Sequence, residues 1–226
     1  MTALQRIADV RALPAFFRAL RSDRSGMAMV EFALSLPFMV PVMMTGAELT
    51  NFTTAKMRIS QLALQVADNG ARMGTGSVIS NKTISEAQIN DLLTGAGMQA
   101  GNLDFYPNGR IIMSSLEPDP DNSNKYRIRW QRCRGDKSWT SHYGNAGDTN
   151  LDGVTMKGQN LQAPSNGAII FVEVAYDYQP IISDAFLLGS RQIVDTAAMT
   201  VRDARDYTGG TNGIYNAEAV TASTCS

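Results

Sequence analysis

At 226 residues, 44% of them hydrophobic and 8% aromatic, the chain can bury one modest core and carry an appendage. A formal charge of −1 excludes nucleic acid as a general partner, because phosphate binding needs a basic surplus. Two cysteines and one histidine, His142, are too few to complete a zinc site with any familiar spacing.

The charge is unevenly spread. Residues 1–25 carry five arginines (Arg6, Arg11, Arg18, Arg21, Arg24) against two aspartates, leaving about −4 for everything downstream. Met27 to Leu49 then reads MAMVEFALSLPFMVPVMMTGAEL, and Phe32 to Ala47 holds 16 residues without a charge. The 23 residues of that stretch rise to about 34 Å as a helix, enough to cross a bilayer. The arginine-rich segment is expected to stay cytoplasmic, which places the rest of the chain on the far side. A secretory signal fits poorly, since the stretch is long and no small-x-small cleavage site follows it. Pro37 and Pro41 each remove a backbone donor, so a bent rather than broken membrane helix is expected. Glu31 is costly within this apolar stretch and calls for a partner or a neutral form.

Beyond Thr50 the helix is expected to continue as an amphipathic stalk. Ile59, Leu62, Ala63, Val66, Ala67, Gly70 and Met73 recur at three- and four-residue steps, a stripe suited to packing on the chain's own head. Gly74 to Ser77 ends it. A second helix follows, capped by Thr83 or Ser85, with Ile89, Leu92 and Leu93 as its apolar face and Gly95 or Gly97 as its stop. After Gly101 the pattern turns to strands. Leu103–Tyr106 and Arg110–Leu116 read as a hairpin around Asn108-Gly109. Tyr126, Ile128 and Trp130 alternate with polar neighbours, as in a strand with one wet face. Ile170, Val172, Val174, Tyr176 and Tyr178 repeat the pattern. Ile193 to Val201 reads as a last strand, although its alanines also permit helix. Residues 137–167 and 207–226 read as loop and tail. The expected fold is α+β: a long N-terminal helix, membrane anchor then stalk, packed on an antiparallel sheet. The expected boundaries are a leader over 1–26, a membrane helix over 27–50, a stalk over 51–76, a head over 77–206 and a tail over 207–226.

Several segments carry a family resemblance. Arg24-Ser25-Gly26-Met27-Ala28-Met29-Val30-Glu31-Phe32 resembles the signal of type IV pilins and pseudopilins: a basic leader, a glycine before the cut, and a glutamate at mature position five. More closely, VEFALSLPF, GAEL (Gly46 to Leu49), RISQLALQVADNGARMG (Arg58 to Gly74), WQRCRG (Trp130 to Gly135) and FVEVAYDYQP (Phe171 to Pro180) resemble TadE-like minor pseudopilins of the tight-adherence (Flp pilus) system. The resemblance implies cleavage between Gly26 and Met27 by a prepilin peptidase. It also implies pairing of Glu31 with a subunit's N-terminal ammonium during assembly. The implied setting is the inner membrane with a periplasmic head, and entry into an extracellular pilus stays open. The implied partners are the major Flp-type pilin, other minor pseudopilins, the inner-membrane assembly platform and membrane lipid. A single-pass anchored periplasmic binding module is the alternative, and an anchored hydrolase a more distant one.

In an exported domain the default for Cys133 and Cys225 is one disulfide, with two free thiols as the alternative. Asp148-Thr149-Asn150-Leu151-Asp152-Gly153 matches the start of a calcium loop, but Gln159 stands where the bidentate glutamate belongs. It reads either as a weak calcium site on Asp148, Asn150 and Asp152 or as a polar turn. Otherwise no cofactor is expected. Six basic residues between Lys125 and Lys137 read as the solvated face of a strand rather than a nucleic-acid surface. No nucleophile motif surrounds His142, and Glu173 and Asp177 lie about 13 Å apart by strand rise, too far for concerted acid–base work.

Overall fold

The computed structural model describes residues 17–225, except 20, 23, 25, 78, 79 and 188. Most of the leader over 1–26 and the terminal Ser226 therefore lie outside the described residues. The chain forms two compact units, Met1–Ala47 and Glu48–Ser226. One helix, α1 (Met27–Arg72), supplies residues to both and continues through Pro37 and Pro41.

Within the first unit the helix carries its apolar side chains outward. Phe38 is 76% exposed, and Met29, Val42 and Met43 are exposed as well. Its polar side chains turn back on the helix. The Ser35 hydroxyl donates to the Phe32 carbonyl and that of Thr45 to the Pro41 carbonyl, each at 2.8 Å. Such bonds satisfy hydroxyls locally where the surroundings offer no water.

In the second unit, residues from Glu48 onward pack one face of α1 against a sheet. Ile59, Leu62, Ala63, Val66, Ala67 and Gly70 of the expected stripe are buried, Ala55 extends it, and Met73 is half-buried at its end. Burying Ile59, Leu62 and Val66 contributes about 1.5–3 kcal/mol each. The small residues allow close approach: a Cβ on Gly70 would lie 3.1 Å from both Ile170 and Met113.

β1 (Ile84–Ser85) leads into α2 (Glu86–Gln99), whose cap is Ser85. The Ser85 hydroxyl accepts the Gln88 amide while the Gln88 side chain accepts the Ser85 amide, the reciprocal box expected from the sequence. Neither Gly95 nor Gly97 stops this helix. A Cβ on Gly97 would collide with Tyr106 at 2.1 Å, and the Gly97 amide donates to the Tyr106 hydroxyl. That glycine makes room for a ring, and the chain turns only at Gly101, where φ is +63°.

The expected hairpin around Asn108-Gly109 is also replaced. Gly101–Leu103 is a 3₁₀ turn and α3 (Phe105–Asn108) a single helical turn. Phe105 is buried and stacks on Tyr176 at 5.9 Å, so core packing outweighs the Asn-Gly turn preference. β2 (Gly109–Pro118), β3 (Tyr126–Arg134), β6 (Ile169–Asp177) and β7 (Gln192–Thr200) form an antiparallel sheet in the order β3-β2-β6-β7. β4 (Val154–Met156) and β5 (Gln159–Leu161) make a small hairpin inside the segment expected to be loop. β7 is not the last strand, because β8 (Ile214–Tyr215) pairs in parallel with β1.

β3 does not keep a wet face. Its register against β2 shifts so that Ser115 faces Trp130 and Leu116 faces Ile128, leaving Arg129 as the extra residue of a bulge. A one-residue slip reverses the facing of every later side chain. Trp130 therefore joins the core beneath α1, whereas Ile128 joins a second cluster with Leu116, Val154, Met156 and Phe171. The segment over 137–167 covers that second face. It also shields the β3 edge, where the Tyr126 and Ile128 amides donate to the Leu151 and Asp148 carbonyls.

Candidate functional site

At the N-terminal end, Gly26 precedes α1 and Met27 is its first residue. Glu31 lies one turn further on and is exposed. Among the described residues, no hydrogen bond or ion pair reaches its carboxylate. Gly26, Met27 and Glu31 are thus an accessible boundary followed by a helical carboxylate.

Glu48, by contrast, is fully buried. It opens the second unit and sits on the same stripe as Ala55, Ile59 and Leu62. The Tyr178 hydroxyl donates to Glu48 Oε1 at 2.5 Å, and Asn51 Nδ2 donates to that hydroxyl at 2.6 Å. The amides of Ile181 and Ile182 donate to Oε1 and Oε2 at 3.2 and 2.9 Å. Phe52 closes the site edge-on to the Tyr178 ring at 5.1 Å. Burial, together with the bond to Glu48, pushes the Tyr178 hydroxyl up to about 12, so it remains a donor throughout the neutral range. A buried carboxylate supplied with three donors is a structural clamp. Glu48 stands in the GAEL segment, but its role escapes a sequence reading. The available signal is a carboxylate falling on the apolar stripe, and its partners arrive about 130 positions later.

The other end of the buried helix segment has a similar clamp. Arg205 is buried and its Nη2 donates to the carbonyls of Gly70, Ala71 and Met73 at 2.9–3.1 Å. These are C-terminal carbonyls that the helix itself leaves without donors.

Cys133 and Cys225 form a disulfide with Cα atoms 4.9 Å apart and a sequence separation of 92. The tail is further attached by the Cys133 amide to the Ser223 carbonyl, Asn90 to the Thr221 carbonyl, and the Ser223 hydroxyl to Asn90. The tail is thus a strap fixed to β3 by the bridge and to α2 through Asn90.

The residues of the calcium-loop match have protein partners. Asp152 is taken by Lys125 Nζ at 2.5 Å, Asp148 accepts the Asn145 amide at 2.7 Å, and the Asn150 amide donates to Asp119. Among the described residues, no three metal-binding side chains gather. Asp152 is exposed beyond its pairing with Lys125. Asn150 stands at φ +57° in this turn.

The basic residues of β3 differ from a solvated face. Arg129 pairs with Glu117 at 3.0 Å, and Arg132 pairs with Glu86, all four side chains being largely buried. Arg134 lies over the Tyr106 ring. Arg127 and Arg129 line a cleft of about 770 Å³ with Glu117, Arg205, Asp206 and Tyr207. Elsewhere, Glu173 accepts the Ser141 hydroxyl and the His142 amide, and burial raises its carboxyl above the usual range despite those bonds. The Ser141 hydroxyl is thereby committed to a carboxylate rather than to an imidazole that could activate it. Asp177 takes Lys137, so Glu173 and Asp177 serve separate partners.

Comparisons with protein-family models, with curated proteins and with solved structures give no match. Function must therefore be argued from the residues themselves.

Proposed function

We propose that the chain is a single-pass, membrane-anchored structural subunit of the pilin-like class, non-catalytic, and similar in plan to TadE-like minor pseudopilins. The observation that carries this reading is the outward apolar surface of α1 over residues 27–47. It follows an arginine-rich segment and Gly26, and has one carboxylate at the fifth helical position. By length and composition the helix can cross a bilayer. In this reading the arginine-rich segment stays cytoplasmic, with the anchor in the inner membrane and the head in the periplasm. A prepilin peptidase would cut between Gly26 and Met27. Glu31 would then pair with the ammonium of a neighbouring subunit, offsetting the cost of both charges in lipid. Its partners in this reading are the major Flp-type pilin, other minor pseudopilins and the assembly platform.

Intact mass of the membrane-extracted protein, from cells that carry the peptidase, tests the proposal. The expected N-terminal residue is Met27, and retention of Met1 would overturn processing. Glu31→Ala is expected to insert yet recover less major pilin on co-purification, with Glu31→Asp intermediate. Equal recovery across the three forms would return Glu31 to the role of a tolerated charge. An uncut leader would favour an anchored binding module, for which the cleft beside Arg127 and Arg129 is one candidate cavity.

A further inference from the structure

The segment after β6 reads Gln179-Pro180-Ile181-Ile182-Ser183-Asp184-Ala185-Phe186-Leu187. Ile181 is 66% exposed and Ile182 is 39% exposed. Single exposed apolar residues are ordinary, but two adjacent isoleucines displayed on a fixed turn are not. The turn is held by polar contacts. The Ile181 and Ile182 amides bond the Glu48 carboxylate, the Ser183 hydroxyl accepts the Ala185 amide, and Arg191 pairs with Asp184 at 3.0 Å. The Tyr178 amide donates to the Arg191 carbonyl, closing the base of the loop. Leu187 packs into the core from the same segment. The backbone of the turn is thus committed to Glu48, while the two isoleucine side chains remain outside.

Glu48 directly follows Ala47, where the outward-facing apolar stretch of α1 ends. A turn hydrogen-bonded to Glu48 is therefore tied to the residue at which the helix changes surroundings from lipid to protein. We propose that Ile181 and Ile182 insert into the headgroup–acyl boundary of the bilayer that α1 spans, giving the head a second, shallow contact with the lipid surface. This rests on the single-pass reading above. Insertion of this kind needs apolar side chains at the boundary and a backbone already satisfied, since lipid supplies no donors. The Glu48 carboxylate meets the second requirement by accepting both amides.

The test uses the full chain with its disulfide intact, carrying Ile181→Cys labelled with an environment-sensitive fluorophore. It is reconstituted into phosphatidylcholine–phosphatidylglycerol vesicles, with or without lipid bearing a nitroxide high on the acyl chain, or near the chain end where label 38 is read. Phe38→Cys reports on the anchor. Met98→Cys, at a position 80% exposed on α2, reports on the rest of the head. Shallow insertion at roughly 5–10 Å depth predicts that label 181 loses about half or more of its emission, while label 98 loses almost none. If label 38 is quenched and label 181 behaves like label 98, the inference is overturned and anchoring stands. If label 38 is not quenched, the anchoring reading fails and the inference falls with it. A label at 181 that is blue-shifted but insensitive to the nitroxide would show a protein occupant, such as a second copy of the chain, and overturns the lipid assignment. Ile182→Cys repeats the measurement at the less exposed neighbour and is expected to follow 181.

Discussion

The two stretches of α1 use opposite conventions. Over 27–47, apolar side chains are outside and hydroxyls bond their own helix, whereas from Glu48 onward apolar side chains are inside and a carboxylate lies among them. One continuous helix is thus written for two surroundings. Hydroxyls bond their own helix in both stretches, as Ser35 and Thr45 do in the first and Thr53 and Thr54 in the second; what sets the second apart is Glu48, a buried carboxylate satisfied by distant side chains and amides. Burial of polar groups is tolerable only with partners, and the two stretches find them at very different sequence distances.

The largest expected effect contrasts one apolar residue from each stretch. Leu62→Ala should destabilise the head by about 2–5 kcal/mol, because it opens a cavity under the sheet. Phe38→Ala should leave head stability unchanged. Chemical denaturation of detergent-solubilised protein, followed by near-ultraviolet circular dichroism, measures both. Equal losses from the two variants would break the comparison.

An intermediate effect is expected at the Glu48 clamp. Tyr178→Phe removes a hydroxyl that donates to Glu48 and accepts from Asn51, and should cost about 1–3 kcal/mol. Asn51→Ala alone should cost less, since it leaves the Glu48 carboxylate with all of its donors. If the tyrosine variant is as stable as the parent, Glu48 is supported mainly by the two isoleucine amides. The same denaturation series decides between them.

The smallest effect concerns pH. The hydroxyl of Thr208, then that of Tyr215, with the Thr208 and Gly209 amides, holds the Asp206 carboxyl down at about 2. Because the folded value lies below the ordinary 3.8, its stabilising contribution is present above that value. It is lost as pH falls from about 4 towards 2. Tyr215→Phe should raise the Asp206 midpoint towards the ordinary range and weaken the pH dependence in that window. Carbon-detected NMR titration of the carboxyl reads the midpoint, and an unchanged value would show that Tyr215 contributes nothing to it.

Much of this architecture is determined by local order. An apolar run of 23 residues, a three- and four-residue apolar stripe, the serine–glutamine cap of α2 and the alternation of β6 are all properties of neighbouring residues. They specify the anchor, the buried stalk face and the central strand because periodicity alone selects which face turns inward. The α+β plan was legible on those grounds. The Cys133–Cys225 bridge was legible from compartment chemistry.

Tertiary packing decided the rest. The glycines of α2 cannot announce that one of them accommodates Tyr106. The Asn108-Gly109 pair cannot show that Phe105 will be drawn into the core ahead of it. A strand cannot reveal its own bulge, because register belongs to the pair, and at Arg129 it sends Ile128 and Trp130 to opposite faces. The polar 137–167 segment and the tail look like loop and strap material until the sheet offers them an uncovered face and edge. Glu48 and Arg205 follow the same logic. Glu48 is a charge on α1 and Arg205 a charge in the chain after β7, and the partners of each lie about 130 residues away, so the role of either exists only once the chain has folded. The sequence by itself determined which groups needed a partner; the folded chain decided which partners they met, because desolvation is fixed by the residue and satisfaction by the contact.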